Sequence, residues 1–212
     1  MLYQPAHFKV EQRQAALAVM REHPLATLVS VGGGEPLLTH APLVALERDG
    51  AVRLLGHLAR ANPHWRSWVD GARLTAIFHG PDGYVSPSWY ERREAVPTWN
   101  YVVVHAHGTV TVTHDSAAKE RILKALIDAH DPPYRRQWDE MLAADFRERQ
   151  KSAIVGFEIA VDRIDAKFKL SQNRPPADRA NVLAAMQDAD PARRALARWM
   201  RELAIAGERS AP

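Results

Sequence analysis

Residues 98–113 read TWNYVVVHAHGTVTVT, and this stretch decides the fold class. It is rich in Val and Thr, residues that suit a pleated strand. Successive side chains of a strand point to opposite faces. Trp99, Tyr101, Val103, His105, His107 and Thr109 therefore share one face, and Asn100, Val102, Val104, Ala106, Gly108 and Val110 share the other. The second set, small and apolar, is the expected core face. It is the longest strand candidate of the chain.

The partners are legible on either side. Leu25–Val31 is β-prone, and Gly32-Gly33-Gly34 turns it into a second strand over Leu37–Leu46. Asp49-Gly50 is a hairpin signal, followed by a strand over Ala51–Leu58. Arg73–His79 reads as a strand ended by the turn Gly80-Pro81-Asp82-Gly83, and Ile154–Leu170 alternates with a bend near Asp162. Helices are expected over Lys9–Glu22, from the Asn62-Pro63 start to about Asp70, and after the cap Asp115. Further apolar stripes mark helices around Trp138–Phe146, Val182–Met186 and Leu196–Leu203, and Gly207–Pro212 should fray. This pattern reads as a mainly β, α+β fold: a small antiparallel barrel with helical additions. One domain over residues 1–190 with a helical extension over 191–212 is the simplest division.

Composition narrows the chemistry. The 212 residues include no cysteine, which excludes disulfides, thiol nucleophiles and Cys-ligated clusters. No apolar run reaches membrane-spanning length, and no basic-then-apolar leader opens the chain, so a cytoplasmic protein is expected. The net charge is +3, too small to announce nucleic-acid binding. Residues 1–115 carry ten basic and ten acidic side chains, so the whole excess lies after them. Arg193, Arg194, Arg198 and Arg201 recur along one helix without helix-turn-helix spacing. Six Trp and ten His are high for this length, and such side chains suit flat ligands, metals or proton transfer.

Three segments gather the chemistry. Gly56-His57-Leu58-Ala59-Arg60-Ala61-Asn62-Pro63-His64-Trp65 ends a strand, offers Arg60 and opens a capped helix, which is the pattern of an anion site. An ordinary cap beside a surface arginine explains the same residues. Ser86-Pro87-Ser88-Trp89-Tyr90 and Val96-Pro97-Thr98-Trp99-Asn100-Tyr101 form a rigid aromatic loop, suited to a flat ligand, an interface or a core plug. Lys167–Arg174 ends a strand in donors and amides, of which Lys169 and Gln172 could read a heteroaromatic ring. His105 and His107 are two residues apart, a spacing a metal can use, yet no third ligand stands at a matching distance in sequence. No dinucleotide fingerprint, P-loop or nucleophile elbow is present.

Together these segments resemble the PaiB-type FMN-binding negative transcriptional regulators. The resemblance is carried by Tyr3-Gln4-Pro5-Ala6-His7-Phe8, Thr39-His40-Ala41-Pro42, the Gly56–Asn62 segment, Tyr84–Tyr90, Val96–Tyr101 with His105 and Gly108, and Lys169–Arg174 with Asp178-Arg179. It implies a split barrel similar to that of pyridoxamine-phosphate oxidase, and a homodimer with FMN at the subunit interface. Arg60 and Asn62, with backbone N–H groups from Leu58, Ala59 and neighbours, would hold the phosphate. Thr39, His40 and Ala41 would line the isoalloxazine, with His57 close by. Trp99, Asn100, Lys169 and Gln172 would approach the ring from the second subunit. The family implies DNA as a partner; the residues add little to that. A flavin-dependent oxidoreductase acting on a small molecule is the alternative. A haem- or metal-binding barrel using His57, His105 or His107 is a third reading.

Overall fold

The computed structural model describes residues 2–32, 34–69, 71–92, 94–187 and 189–209. The strands are β1 (Lys9–Val10), β2 (Leu25–Gly32), β3 (Glu35–Pro42), β4 (Val44–Arg48), β5 (Ala51–Ala59), β6 (Arg73–Val85), β7 (Thr98–Thr113) and β8 (Ile154–Lys169). The helices are α1 (Arg13–Glu22), α2 (Ser116–His130), α3 (Tyr134–Arg136), α4 (Ala144–Ser152), α5 (Pro176–Gln187) and α6 (Pro191–Arg209). The strands make one antiparallel sheet in the order β3-β2-β6-β7-β8-β5-β4, with β1 added against β8. The α+β class expected from residues 98–113 is the one observed, and β7 spans those residues with Asn100, Val102, Val104, Ala106 and Val110 buried.

Residue contacts divide the chain into two interleaved units. One consists of residues 16–78 and 105–164. Its antiparallel ladders run from Leu25↔Pro42 to Gly32↔Glu35 and from Val52↔Val161 to Ala59↔Ile154. Its core holds Leu17, Met20, Leu28, Leu54, Leu74, Phe78, Phe157 and Ile159, all almost fully buried. Asp115 caps α2, its carboxylate accepting from the Ala118 N–H at 2.7 Å, and Ile122 and Leu126 turn inward to Val44. The other unit consists of residues 1–15, 79–104 and 165–212. Phe168, Val182, Met186 and Leu196 are fully buried there, and Phe168 meets Trp199 edge-on at 5.1 Å.

Several boundaries differ from the sequence expectation. Only a two-residue strand and α1 occupy the stretch from Lys9 to Glu22. The strand expected over Leu37–Leu46 breaks at Leu43, whose N–H leaves the ladder for the Pro24 carbonyl at 2.9 Å. Gly80-Pro81-Asp82-Gly83 is no turn, because β6 runs straight through it. A Cβ on Gly80 would lie 2.9 Å from Val102 Cβ, and one on Gly83 3.0 Å from Leu196, so these glycines permit close approach within a strand. β8 is continuous through Asp162. Asp49 and Gly50 do form the expected tight turn, with φ of 51° and 74°. The stripe around Trp138 divides into α3, a π-helical turn over Gln137–Met141, and α4. α6 continues to Arg209, past the expected fraying point at Gly207; residues 210–212 lie outside the described residues, as do Gly33 and Asp70.

Candidate functional site

The turn after β5 is built as a hydrogen-bonded knot. Asn62 caps a 3-10 helix over Pro63–Ser67, its Oδ1 accepting from the His64 N–H at 2.9 Å. This helix is shorter than the one expected to reach Asp70. Trp68 leaves helical geometry and sinks into the core, edge-on to Phe157 at 5.0 Å. The anion-favouring dipole of a long helix is therefore missing at this turn. The Asn62 Nδ2 donates to Thr39 Oγ1 at 3.3 Å, and that hydroxyl also lies 2.9 Å from His64 Nδ1. His64 Nε2 is 2.8 Å from Ser30 Oγ. The buried imidazole thus ties β2, β3 and the turn together through two hydroxyls. Burial pushes its pKa down, which favours the neutral ring.

Arg60 sits just outside this knot. Its Nε donates to the Ser152 carbonyl at 2.7 Å and its Nη2 to Ile154 at 3.3 Å, while its backbone N–H donates to Ala153 at 2.8 Å. Lys119, buried beside it, donates to the Lys151 carbonyl at 2.5 Å. Through the Lys151 and Ser152 carbonyls these cations cap the C-terminal end of α4, where helices leave acceptors unpaired. The Lys119 pKa is lowered by burial, and by the Arg60 charge. The Arg60 backbone N–H, one of the donors expected to face a phosphate, is engaged within the chain.

The neighbouring residues are placed as follows. His57 Nδ1 is buried without a hydrogen-bond partner among the described residues, and burial pushes this imidazole's pKa down. Leu58 and Ala41 are buried, whereas Ala59 and His40 are exposed; His40 Nδ1 meets Thr27 Oγ1 at 3.0 Å. The structure brings Thr39, Asn62 and His64 together. Ser30 was not singled out in the sequence, although its place on the buried face of β2 is a signal, because a buried hydroxyl needs a partner.

The second group of residues lies in the other unit and divides in two. Asn100 is fully buried and exchanges hydrogen bonds with Ser171 at 3.0 and 3.2 Å. It thereby holds Ser171 at a φ of 66°, an unfavourable conformation for a side-chain-bearing residue. Gln172 folds back on its own strand end, accepting from the Leu170 N–H and donating to the Phe168 carbonyl. Both amides anchor the loop after β8. Trp99 is 53% exposed and Lys169 donates to Thr98 Oγ1 and the Trp99 carbonyl. These two line an open aromatic cleft. His105 and His107 have rings 6.2 Å apart, and no group of three metal-ligating side chains gathers among the described residues.

Comparison with known proteins gives this geometry its setting. Residues 2–163 match the family described as "Putative FMN-binding domain". The chain belongs to this FMN-binding family. A relative from Bacillus subtilis (strain 168), the protease synthase and sporulation protein PAI 2, is 37% identical over 190 residues, covering 88% of this chain and 90% of the relative. The expected PaiB-type membership is thereby shown. The flavocytochrome Anf3 from Azotobacter vinelandii superposes with a TM-score of 0.60 at 18% identity, covering 82% of this chain and 75% of that one. The FAD and heme binding protein from Mycobacterium smegmatis gives a TM-score of 0.57 at 22% identity, covering 76% and 73%. At these identities the two structures establish a shared fold, and the family match carries the tie to FMN. Among the described residues no helix is long and apolar enough to cross a membrane.

Proposed function

We propose that the protein is a cytoplasmic, homodimeric FMN-binding protein of the PaiB regulatory type, built as a split barrel, with the cofactor phosphate at the β5 turn and its ring beside β3. The observation that carries this reading is the membership of residues 2–163 in the FMN-binding family. Three features of the site fit the cofactor. After its bonds to Ser152 and Ile154, the Arg60 fork keeps about three of its five N–H donors for a phosphate, and its own bonds hold it still. His57 Nδ1, buried with no hydrogen-bond partner among the described residues, is a polar atom that a ligand's polar edge would satisfy. The Thr39 hydroxyl is fixed from two sides by Asn62 and His64, so it meets a ligand with little loss of freedom.

When bound, FMN supplies hydride or single-electron chemistry; the chain supplies placement. Trp99, Asn100, Lys169 and Gln172 would form the partner copy's contribution, with Trp99 and Lys169 facing the ligand and the two amides holding their loop. The family's regulatory action on DNA draws nothing from the arginines of α6. On α6, Arg193 pairs with Asp190 at 3.5 Å, Arg194 donates to the Ala189 carbonyl and Arg198 pairs with Glu202 at 3.7 Å, which leaves no open arginine stripe of four. A flavin-dependent oxidoreductase is the second reading, favoured by the open cleft around Trp99.

The test is an absorption spectrum of the purified protein with an FMN fluorescence titration, run beside a light-scattering mass measurement. Flavin bands and a dimer mass are expected. A colourless protein that leaves FMN fluorescence unchanged refutes the flavin reading, and a monomer mass refutes the shared site. Bleaching by NADH or NADPH, followed by reoxidation with a small molecule, would favour the enzyme.

A further inference from the structure

The cleft that holds Trp99 and Lys169 has a chemistry of its own, inside one unit of the chain. It is an open groove of about 660 Å³. Five rings wall it: Tyr3, His7, Phe8, Trp99 and Tyr101. Tyr3 is 80% exposed and Trp99 53%, an unusual display of aromatic surface around one opening. Lys167 and Lys169 supply its charge, and no carboxylate lines it.

The two lysines are positioned differently. Lys167 is 7% exposed, and its ammonium lies over two ring faces, 5.2 Å from the Tyr3 centroid and 5.3 Å from that of Tyr101. Cation–π contact offsets part of the desolvation of that charge without supplying a counter-charge. Lys169 reaches only neutral acceptors, Thr98 Oγ1 and the Trp99 carbonyl, so one of its three N–H donors remains. Burial pulls its pKa down, and the charges of Lys167 and Arg174 add to this. Two partly dehydrated cations beside each other raise each other's free energy. One anion between them relieves both, and flat aromatic walls select a flat ligand.

We propose that this cleft binds a planar aromatic carboxylate, with the carboxylate between Lys167 and Lys169 and its ring against Trp99 and Tyr3. The cleft's own lining carries the proposal, and where the reading above brings Trp99 and Lys169 to the partner copy's flavin, the carboxylate sits beside that ring. Tyr3 and Phe8 belong to the N-terminal arm, so the arm becomes a wall of the site. Lys167 carries the specificity, because its ammonium lies over ring faces in a groove that no carboxylate lines.

The experiment titrates the full chain, with FMN present, by calorimetry, using 2-naphthoate, the uncharged 2-naphthalenemethanol and inorganic phosphate as probes. Naphthoate should bind at least about tenfold more tightly than the alcohol or phosphate, the factor worth about 1.4 kcal/mol. Lys167→Met should erase the preference for naphthoate over the alcohol while the FMN titration stays unchanged. Tyr3→Ala, checked for an unchanged thermal melt, should weaken both naphthalene probes together. Equal binding of naphthoate and the alcohol overturns the proposal, as does phosphate binding as tightly as naphthoate. Displacement of naphthoate by FMN also overturns it, because the cleft would then take the flavin. Naphthoate binding in a protein that fails to bind FMN would refute the flavin reading and leave this one standing.

Discussion

Replacing Arg60 by alanine separates the two roles that its guanidinium can hold. Within the chain it donates to the Ser152 carbonyl at 2.7 Å and to Ile154 at 3.3 Å. Hydrogen bonds from a charged donor contribute about 1.5–3 kcal/mol each. The second bond is long and the residue is exposed, so water replaces much of what is lost. A stability loss of about 1–2 kcal/mol follows, read as a shift in the denaturant midpoint with an unchanged slope. The phosphate role adds a separate loss. Removing one charge-assisted contact to a phosphate weakens FMN by about 10- to 100-fold. Riboflavin, which has the ring and no phosphate, should be nearly unaffected. The assay is paired fluorescence titration of FMN and riboflavin against wild type and Arg60→Ala, at a denaturant-free temperature where both are folded. Equal weakening of the two ligands refutes the phosphate role and leaves Arg60 as a cap on α4. Unchanged stability with a selective FMN loss refutes the capping role instead.

Two further outcomes follow from the same knot and from the sheet. His57 and His64 both have folded pKa values lowered by burial from the ordinary 6.5. The unfolded chain therefore binds more protons as pH falls below that value, so stability is full above pH 6.5 and declines below it. Denaturant midpoints measured across pH 5–8 should show this acid-side loss, and a His64→Gln variant should flatten it; a midpoint that rises on acidification would contradict the burial argument. Gly108→Ala should destabilise the protein by about 1–3 kcal/mol or more, because overpacking strains a close-packed interior. Its Cβ would overlap the Ala160 carbonyl oxygen, so backbone rather than a flexible side chain must move. A thermal melt unchanged from wild type would show that β7 and β8 separate freely there.

Alternation alone made β7 legible, because a strand's period of two sorts its side chains without reference to any partner. Asp115, Asn62 and Asp49-Gly50 were legible for a similar reason: caps and tight turns are local chemistry. Two stretches that depart from their local pattern depend on distant atoms. Gly80-Pro81-Asp82-Gly83 has the composition of a turn and is straight because Val102 and Leu196 crowd its glycines. The helix after Pro63 stops early because Trp68 finds a core position beside Phe157.

The same division runs through the site. Arg60, Asn62 and Thr39 could be picked out from sequence, since donors at a strand-to-helix turn suggest an anion whatever lies around them. That Asn62 and Thr39 meet, with His64 between Thr39 and Ser30, requires β2, β3 and the turn to be folded together. Asn100 and Gln172 looked like ring readers and are loop anchors, because their nearest polar partners lie across the β7–β8 end and along their own strand. The sequence by itself determined the sheet, its caps and the family, since these depend on local periodicity and ordered motifs. Only the tertiary structure decided which donors remain open, because burial and hydrogen bonding are settled between residues far apart in the chain. Lys167 shows the difference most clearly: in sequence it is one lysine in an alternating strand, and in the fold it is a buried cation between two rings.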